Sequence, residues 1–285
     1  MSSILTNNGA MVALQTLKAV NNDLDETQKS ISTGKEVGTA KDNAAVYAIS
    51  KTMEADVAGF ESIEQGLAVG EATVAVASAG AEQIVEKLTE IKELIVSGQS
   101  ENVDHTKIQN DIKSKTDQVT AIINAAQFNG ANLLKSDIDG GGSATSDLGV
   151  LASLDRSGSS VTVTAVEITV TTVDFESKLN FSGGSLTAIT DAATAATALG
   201  QIETLLNVAI TGAAALGASA ARLEDQSEFV SKLTDAMTKG ISTMADTNME
   251  EASARLNALQ TQQELAVQSL TIANEAPSTL MQLFR

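Results

Sequence analysis

Apolar positions recur along this chain in alternating steps of three and four. From Met249 the steps are Met249, Ala252, Leu256, Leu259, Gln263, Ala266, Leu270 and Ala273, with Gln263 the polar member. That is a heptad seam, the pattern that packs one helix along another. Leu280, Met281, Leu283 and Phe284 carry the apolar character to the last residues, where a chain is normally polar and frayed. Burial is therefore expected there, against the other end of the chain or another subunit. Near the start, Ala10, Leu14, Leu17, Asn21, Leu24, Gln28 and Ile31 repeat the spacing. Asn21 and Gln28 stand where a strong coiled coil carries leucine. Amides in such positions lower stability and fix register.

Two longer seams lie between these ends. The first runs Ile49, Met53, Asp56, Phe60, Ile63, Leu67, Gly70, Val74, Ala77, Ala81, Ile84, Leu88, Ile91, Ile95. A single helix of that length spans about 70 Å. Ser97, Gly98 and Ser100 stop it. The second runs Leu199, Ile202, Leu206, Ala209, Ala213, Leu216, Ala220, Leu223, Ser227, Val230, Thr234, Met237, Ile241, Met244. Twelve of fourteen positions are apolar in each, so the two are matched partners for one bundle. A shorter helix, with Ile108, Ile112, Val119, Ile122 and Ala126 on one face, ends at the Asn129-Gly130 turn.

Both arms break at matching depth. From Ser32 to Ala45 there is no apolar stripe, and Gly34 and Gly38 mark a linker that ends near Asp42 or Asn43 at a helix start. On the other arm the phase slips at Ala245-Asp246-Thr247-Asn248. The breaks divide the helical seams into an inner terminal domain, residues 1–44 with 245–285, and an outer helical bundle, 45–135 with 199–244. Residues 136–198 differ in kind, being rich in Ser, Thr and Gly. Val161, Val163 and Ala165 alternate; Val166, Ile168 and Val170 then alternate one residue out of phase. One or two hairpins with a bulge or turn at the slip are expected, as a variable, surface-exposed region. The fold class is mainly α: a long antiparallel helical, coiled-coil bundle with a small β-hairpin region in the middle of the chain.

Composition supports helices over a thick globule. Hydrophobic residues make up 43% of the 285, but aromatics only 2%, so Ala, Val, Ile and Leu must fill the core. The one proline, Pro277, lets helices run on. A net charge of −18 opposes attraction to nucleic acid or an anionic membrane. The absence of cysteine excludes disulfides and thiolate metal sites. No cleaved signal is read, nor any stretch apolar enough to span a membrane, so export would use another route.

Catalytic chemistry finds little support. His105, the single histidine, sits beside Asp104 at a helix start and reads as a surface residue. Asp137-Ile138-Asp139-Gly140 opens like a calcium loop, but glycine, serine and alanine follow and no glutamate closes it, so a turn is the better reading. Asn180-Phe181-Ser182 matches a eukaryotic glycosylation sequon only. No catalytic, cofactor or metal residue is assigned, and the chain is not expected to be an enzyme.

Three stretches resemble the bacterial flagellins. Ala276-Pro277-Ser278-Thr279-Leu280-Met281-Gln282-Leu283-Phe284-Arg285 is similar to their C-terminal end. Ser32-Thr33-Gly34, Ala40, Asp42 and Ala44-Ala45 match the family pattern Leu-Ser-Ser-Gly-x-Arg-Ile-Asn-x-Ala-x-Asp-Asp-Ala-Ala, with Glu36 at its Arg and Gly38 at its Asn. Gln127-Phe128-Asn129-Gly130 with an apolar pair after it is the third. The resemblance implies a structural subunit that self-assembles into the extracellular flagellar filament used for motility. Its self-assembly seam is expected at Leu14, Leu17, Leu24, Ile31, Met249, Leu256, Leu259, Leu270, Leu280 and Phe284, with Gly34, Gly38 and Asp42 in the inter-domain linker. Partners implied are further copies of the chain, an export chaperone and type III export apparatus, and hook-associated and cap proteins. Neither nucleic acid nor membrane insertion is implied. A hook–filament junction protein of the same family and a cytoplasmic coiled-coil adaptor are the alternatives. Flagellins detected by host innate receptors carry Leu-Gln-Arg-Val-Arg-Glu-Leu on the long helix; this chain reads Leu88-Thr89-Glu90-Ile91-Lys92-Glu93-Leu94, which reverses a charge at Glu90.

Overall fold

The computed structural model describes residues 7–139, 147–156 and 163–283, the last eight of these by backbone alone. Helix α1 (Asn8–Thr33) starts at Asn7, whose side chain accepts a hydrogen bond from the Ala10 amide, and ends at Gly34 with a φ of 70°. Helix α2 (Ala44–Ser97) begins at the helix start expected near Asn43, which caps it by accepting from the Ala45 and Val46 amides, five residues ahead of the first seam position, Ile49. Ile49 is 52% exposed, outside the seam's buried part. From Phe60 to Ile95 every seam position is buried.

Helix α3 (His105–Ala125) is capped by Asp104 and buries Ile112, Thr116, Val119 and Ile123. The expected Ile122 is half-buried; a step of four from Val119 keeps Ile123 on the core face. The turn that follows has Asn129 and Gly130 at φ of 50° and 87°, and Phe128 and Ala131 exchange two backbone hydrogen bonds across it. Two positive φ angles in a row are the signature of the two-residue hairpin turn that Asn-Gly favours.

Among the described residues one hairpin follows. Strand β1 (Asp147–Arg156) pairs antiparallel with β2 (Val163–Thr171). The bulge is at Ala152 on β1: the register passes from Leu151 opposite Glu167 to Ser153 opposite Val166. The phase slip read at Val166 thus faces the extra residue, which belongs to the partner strand; Val161 lies outside the described residues. After β2 come a short helix α4 (Phe175–Lys178), capped by Asp174, and a 3-10 turn at Phe181–Gly183, capped by the Asn180 side chain.

Helix α5 (Ala192–Ala245) starts early, seven residues before Leu199. Asp191 accepts from the Thr194 amide while the Thr194 hydroxyl oxygen accepts from the Asp191 amide, a reciprocal cap. It holds an 18-residue window of mean hydropathy 1.5, long and apolar enough by composition to cross a membrane, contrary to expectation. Its Ala198, Ile202, Leu205, Ala209 and Leu216 are buried in the protein. Asn248 caps the last helix, α6 (Met249–Leu283), which begins where the phase slip was read.

The chain forms two compact units, Met1–Val57 with Asp235–Arg285 and Ala58–Thr234. In the second, the middle segment enters the core: Ile138, Val150, Ala152, Val170, Phe175, Leu179 and Ile189 are all buried. The Val173 and Phe175 amides donate to the Leu133 and Leu134 carbonyls, and Gln226 Nε2 donates to the Ala152 carbonyl at 2.8 Å. Both long helices make room for it at a glycine. A Cβ on Gly70 would lie 2.7 Å from Val150 Cγ2, and one on Gly212 would lie 2.4 Å from Val173 Cγ1 and 2.6 Å from Phe175 Cζ.

Candidate assembly surface

In the first unit α1 and α6 lie side by side and antiparallel. Ser30 is near Thr247, Asn21 near Gln263, and Asn7 near Ala273, whose carbonyl accepts from Asn7 Nδ2 at 2.7 Å. On α6 the seam is as read: Ala252, Leu259 and Ala266 are buried, and Leu256, Gln263, Leu270 and Ala273 half-buried. On α1 it shifts by one residue in places. Val20, Leu24 and Thr27 are buried, with Leu17 and Ile31 half-buried. Gln28 faces solvent, as does Leu14, at 45% exposure. A 3.6-residue turn drifts off a strict heptad, so the contact face passes from Leu17 through Val20 to Leu24 and Thr27. Met249 is 46% exposed at the start of α6. Leu280 lies in α6, with its side chain outside the described part, and Phe284 lies outside the described residues.

The joint core is thin. Val20, Leu24 and Leu259 form its buried cluster, with Leu256 packed against it. Meanwhile Met11, Val12 and Leu14 on α1, and Leu265, Val267 and Ile272 on α6, stand 45% to 64% exposed. Five of these six, all but Leu14, lie off the strongest apolar stripe on each helix. Their signal was a second set of apolar positions off that stripe.

The linker is a hydrogen-bonded structure. Gly34 terminates α1, and its carbonyl accepts from the Thr247 amide at 2.9 Å. The Glu36 and Val37 amides both donate to the Ala245 carbonyl. Asp42 accepts from the Gly38 and Thr39 amides and from Lys29 Nζ. The bonds to Thr39, the amide first, and to Lys29 hold the Asp42 carboxyl down at about 2. Lys51 and then Lys35 lower the pKa of Glu54 on the first turns of α2. Glu36, standing where the family pattern has Arg, lines a cleft of about 380 Å3 with Asp23, Glu26 and Glu251; Arg255 of α6 supplies a cation there.

In the second unit, Glu90 of α2 bonds Lys115 of α3 and Lys87, and these two hydrogen bonds lower its pKa, Lys115 first. His105 Nε2 lies 3.0 Å from the Gly98 carbonyl oxygen, a contact between the end of α2 and the start of α3. The Asp139 amide donates to Asp137, closing a turn. Among the described residues no three His, Cys, Asp or Glu side chains are grouped to hold a metal.

Paired terminal helices with an uncovered apolar surface have a match among known proteins. Residues 4–138 match the bacterial flagellin N-terminal helical region, and residues 199–284 match the bacterial flagellin C-terminal helical region. The chain belongs to the bacterial flagellin family. A flagellin of Brucella melitensis is 37% identical over 288 aligned positions that cover all of both chains. Flagellin FljM of Caulobacter vibrioides is 35% identical, over all of this chain and 99% of its own. The crystal structure of Bacillus cereus flagellin superposes with a TM-score of 0.47 at 17% identity, covering 58% of this chain and 88% of that one. As a flagellin, the chain is a structural subunit of the extracellular flagellar filament and not an enzyme. Full-length relatedness to flagellins does not favour the junction-protein or cytoplasmic-adaptor alternatives.

Proposed function

We propose that this flagellin polymerises through the paired α1 and α6. The observation that carries the reading is the mismatch between their thin mutual core and their exposed apolar side chains, Met249 among them. Burying such side chains against neighbouring copies supplies the stability that the pair lacks alone, at about 25 cal/mol per Å2 of apolar surface. Leu14, Met249, Leu280 and Phe284 face neighbouring copies in this scheme, and Leu17, Leu24, Ile31, Leu256, Leu259 and Leu270 hold the pair together. Residues 1–44 with 245–285 form the inner domain of the filament and 45–135 with 199–244 the outer bundle. The face of the 136–198 segment that carries Thr164 to Glu167 of β2, all exposed, lies toward the medium.

The subunit reaches the filament end unfolded, through the flagellar type III export route and without a cleaved signal, escorted by an export chaperone. Hook-associated and cap proteins meet the same terminal helices. Electron microscopy of protein lacking Met249 to Arg285 tests the assembly reading. A soluble, helical, non-polymerising subunit is the expected result. Filaments from the truncated protein would show that α6 is not the assembly surface.

A further inference from the structure

The α1/α6 pair has a polar contact in its middle. Gln263 Nε2 donates to Asn21 Oδ1 at 2.7 Å, and both side chains are half-buried. Around them lie Val20, Leu24, Leu259 and Ala266, all buried. We propose that Asn21 and Gln263 fix the register in which α1 and α6 pair, and thereby which exposed residues a second copy of the chain meets.

The reasoning is one of alternatives. The helices run antiparallel, so sliding α6 by one heptad, about 10 Å, keeps a seam against a seam. The apolar contacts discriminate poorly, since alanine and leucine recur every few residues on both faces. The amides do discriminate. One slip sets Asn21 opposite Leu270; the other sets Asn21 opposite Leu256 and Gln263 opposite Leu14. Either slip leaves the Asn21 amide among apolar side chains with no partner, a desolvation cost that the native register avoids. The backbone stitch between Gly34 and Thr247 also opposes sliding, but Asn21 is thirteen residues up α1 from that stitch, about 20 Å away. Beyond it the described polar contact is Asn7 with the Ala273 carbonyl, and a backbone carbonyl recurs at every residue, so it selects no register by itself.

A slip of 10 Å would displace Leu265, Val267 and Ile272 relative to Met11, Val12 and Leu14. The surface offered to the next copy would then differ from subunit to subunit. This inference rests on the proposed assembly through α1 and α6, and the two can fail separately.

The test compares five full-length variants in seeded polymerisation, with cryo-electron microscopy of the product. Asn21→Leu and Gln263→Leu each strand one amide, and each raises the critical concentration roughly tenfold. The double leucine variant removes both amides. It protects α1 and α6 from hydrogen exchange in the free subunit, yet yields short or polymorphic filaments because register is no longer selected. Asn21→Gln combined with Gln263→Asn keeps one amide on each helix and restores polymerisation to within about threefold of the parent, given the modest net worth of a single hydrogen bond. Parent-like polymerisation of both single variants overturns the proposal. So do uniform, parent-like filaments from the double leucine variant, and so does failure of the exchanged pair to recover. Loss of polymerisation in Leu14→Asp alongside any of these results leaves the assembly reading standing; parent-like polymerisation of Leu14→Asp removes that reading itself.

Discussion

The amide of Thr247 donates to the carbonyl of Gly34 at 2.9 Å, joining the two places where the helical seams break. These residues are more than two hundred positions apart in the chain. Their contact makes the break on each arm one structure: Gly34 turns the chain out of α1, and Thr247 sits between α5 and α6. Lys35 and Asp246 form a β-bridge in the same place.

Gly34 is at φ 70° with nothing within 4 Å of where a Cβ would stand. Its requirement is conformational, because an L side chain in the left-handed region costs about 1–2 kcal/mol. Gly34→Ala should therefore lower the stability of the first unit by that amount without disturbing packing. Hydrogen exchange of the last turn of α1, measured in the filament, should quicken in the variant, while exchange in Ile63 to Ile95 stays unchanged.

Gly212 presents the opposite case. It lies inside α5, and the obstacle to a side chain is Val173 and Phe175 at less than 3 Å. Gly212→Ala should destabilise the second unit by about 1–3 kcal/mol through overpacking, despite alanine's better helix propensity. Phe175→Ala should cost about 3–5 kcal/mol by leaving a cavity. Urea unfolding followed by circular dichroism reads both as lower midpoints.

Acid should act through the carboxylates whose pKa is depressed. Asp42 is lowered from 3.8 to about 2, by the Thr39 amide first. A carboxylate with a lowered folded-state pKa contributes stability that is complete above its unfolded value and is lost as pH falls through the folded one. The linker bonds should thus be intact at neutral pH and weaken between about pH 4 and pH 2. Asp42→Asn should flatten the pH dependence of first-unit stability in that window, as followed by proteolysis of the linker. Glu90 moves in the same direction, through Lys115 and Lys87.

Glu90 also bears on recognition by host innate receptors. It is engaged with lysines on two helices, and it replaces an Arg that the family resemblance makes a receptor contact. A like-charge or unpaired interface group costs about 2–5 kcal/mol, so detection should be weak or absent. A reporter-cell assay checks this; a response equal to that of a typical detected flagellin would contradict it.

Much of the helical framework was legible because it rests on local rules. The α6 seam, the stop after Ser97, the Asn129-Gly130 turn and the phase slip before Met249 each follow from residue spacing or turn chemistry. Asn43 marked the start of α2, whereas the start of α5 was read late, at Leu199, since the Asp191–Thr194 cap lies upstream of any apolar stripe. The middle segment was harder. Its β1 strand and buried Phe175 depend on glycine niches at Gly70 and Gly212, tertiary features that no local pattern encodes. On the assembly surface, Asn21 was recognised as an unusual seam residue, but its partner Gln263 could be assigned only once the two helices were aligned. Leu14 and Gln28 fell on the outer side because the heptad count ignored helical drift.

The central claim is that α1 and α6 complete their burial only in the filament. Among the described residues the large apolar side chains they bury are Val20, Leu24 and Leu259, with Leu256 packed against them and small Ala252 and Ala266 beside them, whereas α2 is buried at every seam position from Phe60 to Ile95. Helices with so little packing are marginal in water. Hydrogen exchange on free subunit and filament from one preparation tests this most directly. In the free subunit, residues 10–31 and 249–275 should exchange fast and Ile63 to Ile95 slowly; in the filament all three should be protected. Slow exchange of both terminal helices in the free subunit would show a pair already stable before assembly, and would contradict the account.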